Sequence, residues 1–257
     1  MKTFTTCEVA NCVGIHPNTV RLYEQLGFIS KPERKKNGYR IYTDLHLQQL
    51  KLIRTAFEIE VIQNGLRKQV IAIIKCAAAG NYDQAIELTF RYIQQIKHEQ
   101  HNSEEAIAIA EQIITGNEQQ SDSEMVTTTF TRKETADLLH ISMDTLRNWE
   151  MNGLLTVKRK HNGYRIYTLK DVKRLKVISS LRCANYSLSA ILRMLNTLDH
   201  YPQVNIRHVM DTPTAGDDII TVCDHLLTSL RVAEQNAFNM SLLLYEMRNK
   251  NELNPPL

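Results

Sequence analysis

No run of about 18 apolar residues occurs in the sequence, so none of it is expected to cross a bilayer as a helix. The opening stretch MKTFTTCEVANCVG lacks an apolar core after Lys2 of the kind a secretory signal carries, and the expectation is a cytoplasmic protein. Cysteine is sparse and scattered: Cys7, Cys12, Cys76, Cys183 and Cys223 are odd in number and form no CxxC pair. That spacing supports neither a disulfide framework nor a zinc site, and no metal or other cofactor is expected. The five thiols are expected to be small buried hydrophobes in a reducing compartment. Also missing are GxGxxG, GxxxxGK[ST], HExxH and GxSxG. The nine histidines do not substitute for them, since His98 and His101 fall on a polar helix face and His200, His208 and His225 are dispersed. An enzyme is not expected.

What is present is ordinary in bulk and unusual in arrangement. The 257 residues, 43% hydrophobic and 23% charged, suffice for one or two domains with cores of their own. The net charge of +3 divides unevenly. Residues 1–54 hold nine Lys/Arg against four Asp/Glu, and residues 126–182 hold twelve against five. Both other segments, 55–125 and 183–257, are acidic. Two separate basic blocks are what two phosphate-binding surfaces need, although charge alone does not distinguish them from solvated faces.

An internal repeat lies under these blocks. Phe4-Thr5-x-x-Glu8-x-Ala10 recurs as Phe130-Thr131-x-x-Glu134-x-Ala136, and Ile15, Thr19, Arg21, Glu24 and Gly27 recur as Ile141, Thr145, Arg147, Glu150 and Gly153. After the loss of one residue, NGYRIYT at 37–43 recurs at 162–168, and Leu50-Lys51-x-Ile53 returns as Leu175-Lys176-x-Ile178. Each copy reads alike. Thr5/Glu8 and Thr131/Glu134 form capping boxes opening short helices at about 7–13 and 133–139. A tight turn through Gly14-Ile15 or His140-Ile141 leads to second helices at 17–25 and 143–151, stopped by Gly27 and Gly153. A basic loop and the alternating Tyr-Arg-Ile-Tyr then predict a two-stranded hairpin with Asn-Gly among its turn residues, and Thr43 and Thr168 start a third helix.

Each copy is followed by a long helical pattern. Tyr82, Ile86, Thr89, Ile93, Ile96, Gln100, Ser103, Ile107, Ala110 and Ile114 keep a four-three spacing. So do Ile219, Cys223, Leu226, Leu230, Ala233, Ala237, Met240, Leu244 and Met247. A sustained 3.5 period is a coiled-coil seam, although the same spacing serves a helix packed on its own domain. The fold class is mainly α, with two winged helix-turn-helix domains bearing small β-hairpin wings, each followed by a long coiled-coil-type helix. The expected bounds are a first winged domain at 1–79, a first coiled-coil helix at 80–115, a polar linker at 116–125, a second winged domain at 126–200 and a second coiled-coil helix at 217–250.

These residues resemble the MerR family of bacterial transcription regulators. The likeness rests on Thr19-Val20-Arg21-Leu22-Tyr23-Glu24, Gly27-Phe28-Ile29 and Gly38-Tyr39-Arg40-Ile41-Tyr42, and on Thr145-Leu146-Arg147-Asn148-Trp149-Glu150, Gly153-Leu154-Leu155 and Gly163-Tyr164-Arg165-Ile166-Tyr167. It implies a DNA-binding regulator that distorts a pseudo-palindromic promoter site for RNA polymerase, like two family members fused. The second helix would offer His16, Pro17, Asn18 and Arg21 to the major groove in copy one, and Ser142, Met143, Asp144 and Arg147 in copy two. Arg21, Tyr23, Tyr39, Arg40, Arg147, Trp149, Tyr164 and Arg165 would face the DNA backbone, with Lys36 and Lys160 among the wing-tip cations.

Each assignment has a plainer counterpart. Tyr42 and Tyr167 fit the wing core better than DNA, Tyr23 and Trp149 could be packing residues, and Arg21 and Arg147 could pair with Glu24 and Glu150 along the helix. No cysteine cluster marks a metal-sensing member. A small-molecule effector has only Tyr82, Phe90, Tyr92, Phe238 and Tyr245 as available aromatics, which are more often core. The rival function is an architectural, excisionase-like DNA-bending protein. The long helices could pair within one chain, as a pseudo-dimer, or between two chains.

Overall fold

The computed structural model describes residues 2–58, 65–115, 129–161, 163–201, 205–212 and 225–253. The chain divides into two compact units, 1–98 with 229–257 and 99–228. The expected linker at 116–125 lies outside the described residues, as do the seam positions Ile219 and Cys223.

In unit 1, strand β1 (Thr3–Phe4) precedes helices α1 (Thr6–Cys12) and α2 (Pro17–Gln25), strands β2 (Glu33–Arg34) and β3 (Arg40–Thr43), and helices α3 (Asp44–Ala56) and α4 (Leu66–Ala78). Thr5 caps α1 reciprocally with Glu8, so two orphan helix donors are satisfied by one short motif. Gly14 stands between α1 and α2 at φ +66°, a left-handed conformation that glycine adopts without steric penalty. Pro17 opens α2 at a position where a missing N–H costs nothing.

The hairpin is not a simple two-stranded ribbon. β3 is the centre of an antiparallel sheet ordered β1-β3-β2, with Phe4 opposite Tyr42 and Arg34 opposite Arg40. The two residues ahead of α1 thus close the wing from its other side. At the tip, Gly38 N–H donates to the Lys35 carbonyl and Lys35 N–H to the Tyr39 carbonyl, so the turn includes Lys36 and Asn37 before Gly38. Tyr42, Val9, Val20, Leu50 and Ile53 are fully buried and form the core beneath the helix-turn-helix.

Unit 2 repeats the plan. Its elements are β4 (Thr129–Phe130), α6 (Arg132–Leu138), α7 (Met143–Met151), β5 (Lys158–Arg159), β6 (Arg165–Thr168), α8 (Leu169–Cys183), α9 (Leu188–His200) and α10 (Ile206–Met210). The sheet order β4-β6-β5 and the pairing of Phe130 with Tyr167 match copy one. His140 takes the place of Gly14 and is itself left-handed, at φ +53°.

Two long helices complete the described chain, α5 (Tyr82–Thr115) and α11 (Leu226–Leu253). Within unit 1, Asp83 accepts from Arg248 at 3.0 Å and Lys97 pairs with Glu234 at 3.5 Å. The partners run in opposite directions along the two helices, which are therefore antiparallel here. Tyr82, Ile86, Ile93 and Ile96 are buried, as are Ala233, Ala237, Met240, Leu244 and Met247. Two of the polar seam positions are accommodated by backbone: the buried Thr89 hydroxyl donates to the Ala85 carbonyl and the Ser103 hydroxyl to that of Glu99, both at 2.8 Å. No helix among the described residues is long and apolar enough to cross a membrane.

The cysteines correct an expectation. Cys7, Cys12 and Cys183 are exposed free thiols and Cys76 is half-buried, whereas small buried hydrophobes were expected. Cys7 and Cys12 lie on the solvent side of a helix too short to bury more than the Val9–Ala10 stripe.

Candidate nucleic-acid interface

The second helix of each copy presents its leading turn to solvent. In copy one, His16 is the N-cap of α2, and its Nδ1 accepts from Asn18 N–H at 3.2 Å. Asn18 and Arg21 are exposed on one face, with Arg21 Nη1 donating to Asn18 Oδ1 at 2.8 Å. Pro17 is half-buried. In copy two, Ser142 caps α7 through its hydroxyl, which accepts from Thr145 N–H at 3.0 Å. Met143, Asp144 and Arg147 are exposed. Arg132, at the position of Thr6 in copy one, grips the Met143 carbonyl through Nε at 3.1 Å and also through Nη2, which lies 4.0 Å from Asp144.

The wings carry the other half of each basic face. Tyr39 and Tyr164 stand 71% and 73% exposed, too far out for a wing-core role. Around them Arg34, Lys35, Lys36, Lys158, Arg159 and Lys160 are exposed. Tyr42 and Tyr167, three residues further along the chain, are buried at 0% and 1%, and burial raises both phenol pKa values. Period-2 alternation on a pleated strand separates the two tyrosines of each Tyr-Arg-Ile-Tyr in this way.

Two placements differ from the expected backbone contacts. Trp149 is 5% exposed and belongs to the core of copy two, whereas Tyr23 is half-buried with its ring 5.9 Å from Phe28. The wing arginines are also engaged within the protein. Arg40 Nε donates to Glu24 at 2.5 Å, and Arg165 Nε donates to Glu150 at 2.6 Å. That hydrogen bond holds the Arg165 guanidinium above its ordinary pKa. Glu24 and Glu150 therefore bridge to the wing rather than pairing along the helix with Arg21 and Arg147. Helical spacing makes the local pair visible in a sequence, but the bridge appears only once the hairpin folds back over the helix.

A second tie was not visible in the sequence. The segment after α2 is held to α3 by Ser30, whose N–H and hydroxyl donate to Gln49 Oε1 at 2.9 and 3.1 Å. His46 is 6% exposed; its Nδ1 accepts from Thr43 N–H at 3.0 Å and its Nε2 lies 3.3 Å from the Ser30 hydroxyl. Burial lowers the His46 pKa below its ordinary value. Copy two does the same work with charge: Arg174 Nε donates to the Leu154 carbonyl at 3.0 Å, and its Nη1 pairs with Asp199 at 3.1 Å. Asp171 takes the capping role of His46, accepting from Thr168 N–H at 2.8 Å.

The aromatics of the long helices do not form one set. Tyr82 and Tyr92 are buried, and burial pushes Tyr92 up to about 12. Phe90 and Phe238 are exposed, and Tyr245 lies 5.0 Å from the Arg248 guanidinium. Among the described residues no group of three His, Cys, Asp or Glu side chains is placed to hold a metal ion.

Two helix-turn-helix pairs, each with a basic hairpin folded against its second helix, make this a double winged helix-turn-helix chain. Residues 5–42 match the model of the MerR family regulatory proteins, and residues 130–198 match that of the MerR HTH family regulatory proteins. The chain thus carries two MerR-family units in tandem. Among curated proteins it is 40% identical over 52 residues to the HTH-type transcriptional regulator CueR of Escherichia coli O157:H7, covering 20% of this chain and 38% of that one. An uncharacterized HTH-type transcriptional regulator of Synechocystis is 36% identical over 76 residues, 28% of this chain and 56% of its own. The mercuric resistance operon regulatory protein of Bacillus cereus is 35% identical over 65 residues, 25% and 49% of the two chains. The matches span from under two fifths to just over half of these relatives' lengths. No solved structure matches the chain.

Proposed function

We propose that the protein is a DNA-binding transcriptional regulator that engages two half-sites of one promoter element through α2 with its wing and α7 with its wing, and distorts the duplex for RNA polymerase. The observation that carries this is the duplicated MerR-family unit, in which each copy couples an exposed leading turn to an exposed basic hairpin. Phosphate contacts from both wings would offset the bending cost, on the order of 1–6 kcal/mol. The base-reading set is His16, Asn18 and Arg21 in copy one and Ser142, Met143, Asp144 and Arg147 in copy two. Tyr39, Tyr164, Lys36 and Lys160 contact the backbone, whereas Arg40 and Arg165 first brace the wings.

Pairing of the long helices within one chain accompanies this reading. The Asp83–Arg248 and Lys97–Glu234 pairs support it, because they link the two helices within one chain while the neighbouring seam residues are buried. One polypeptide then behaves as a pseudo-dimer.

The test is selection of bound duplexes from a random library with the purified chain at low salt, with light scattering of the free protein. Two unequal half-sites at fixed spacing and a single-chain mass are expected. No enrichment above non-specific binding would refute the DNA-reading function, and a two-chain mass would refute the intrachain pairing. Transcription in vitro from a promoter bearing the selected site separates a regulator from an architectural DNA-bending protein.

A further inference from the structure

The two reading helices are equivalent in backbone and opposite in hydrogen-bond polarity. At the second helical position, copy one has Asn18 and copy two has Asp144. Arg21 donates to the Asn18 carbonyl oxygen, and the Asn18 Nδ2 amide is a donor that an aspartate lacks. Copy one therefore presents donors at this point, the Asn18 amide and the Arg21 guanidinium. Asp144 presents acceptors only. Its side chain is 98% exposed, so it carries no part of the protein core.

A carboxylate on the leading turn of a helix that approaches a polyanion is electrostatically unfavourable unless it meets a donor. Phosphate oxygens accept and cannot satisfy it. Among the base edges of the major groove, the cytosine N4 and adenine N6 amino groups donate, whereas guanine offers only the acceptors N7 and O6. Adenine N6 stands beside the acceptor N7, which repels a carboxylate, so cytosine N4 is the usual partner of an acidic side chain. The protein already moderates the local charge. Arg132 is fixed by its double hydrogen bond to the Met143 carbonyl, and that places its Nη2 4.0 Å from the Asp144 carboxylate. In copy one the same two positions are Thr6 and Asn18, both uncharged.

Resting on the DNA-reading function above, we infer that Asp144 is a specificity determinant that accepts a hydrogen bond from a cytosine amino group in the half-site of copy two. The matched position in the half-site of copy one, faced by Asn18 and Arg21, carries an acceptor base. The operator is then asymmetric at this base pair by chemistry.

Selection from the random duplex library is repeated with the full chain carrying Asp144→Asn and, separately, Asn18→Asp. In the wild-type chain one half-site is expected to hold cytosine at a position where the other does not. Asp144→Asn should lower that cytosine preference about tenfold, leaving the other half-site and the spacing unchanged. Asn18→Asp should move copy one's position toward cytosine. Retention of every base preference by Asp144→Asn, with half-sites still selected, overturns the inference and leaves the DNA-reading function standing. Selection of no half-site by the wild-type chain refutes that function, and the inference falls with it. Thermal unfolding at the wild-type temperature verifies that the variants are folded, as the exposure of both side chains requires.

Discussion

The bridge between reading helix and wing is the feature whose removal has the most predictable size. Glu24 and Arg40 meet at 2.5 Å with side chains 12% and 23% exposed, between the limits for which ion-pair energies are well bracketed. Exposed pairs contribute about 0–1 kcal/mol, and truncating one partner of a fully buried pair costs about 3–5 kcal/mol. A charge-assisted hydrogen bond lies at about 1.5–3 kcal/mol. Arg34, 4.0 Å from the other Glu24 oxygen and half exposed, adds little. We expect Glu24→Gln and Arg40→Met each to destabilise unit 1 by about 2 kcal/mol, with a coupling of about 1.5 kcal/mol in the double-mutant cycle. At roughly 2–4 °C per kcal/mol for a chain of this size, each single variant should melt about 4–8 °C lower. Urea unfolding of the four proteins measures the cycle. Glu150→Gln with Arg165→Met is the internal control, since that pair has a 2.6 Å bond and similar exposure, 19% and 25%. A coupling below about 0.3 kcal/mol in both copies would refute the claim that the pair braces the wing.

Three other outcomes follow from particular residues. His46 has its pKa lowered by burial from an ordinary value of 6.5, so the fold favours its neutral form. Its contribution is complete above the unfolded pKa and is lost as the pH falls from there through the folded pKa. The urea midpoint of unit 1 should therefore drop on acidification below about pH 6.5, and His46→Gln, which keeps a capping acceptor, should flatten that slope. Gly14→Ala should cost about 1–2 kcal/mol from left-handed backbone alone, as nothing lies within 4 Å of the new Cβ, while His140→Gly should be neutral to stabilising in thermal melts. The buried Tyr167 hydroxyl has no hydrogen-bond partner among the described residues, so Tyr167→Phe should leave stability unchanged or raise it by up to about 1 kcal/mol in urea unfolding.

What the sequence determined by itself was local and periodic. Caps, turn residues and helix spans depend on contacts three or four residues apart, which is why α2 and α7 fall at 17–25 and 143–151 as expected from the chain alone. The duplicated Tyr-Arg-Ile-Tyr likewise carries its own inside-outside alternation, and it placed Tyr42 and Tyr167 in the wing core. The seam spacing of α5 and α11 showed which faces are buried. Tertiary structure decided the partners. Glu24 could bond Arg21 along the helix or Arg40 across the hairpin, and only the folded wing brings the second to 2.5 Å. β1 and β4 are two-residue strands with no pattern of their own, defined by pairing with β3 and β6. Trp149 and Tyr23 share a position in the repeat and differ in burial, because burial depends on the neighbours that distant segments supply. The second halves of the wing ties, Ser30 with His46 and Gln49 and Leu154 with Arg174 and Asp199, were invisible for the same reason: hydrogen bonds between residues 16 to 25 apart leave no spacing signal in a sequence.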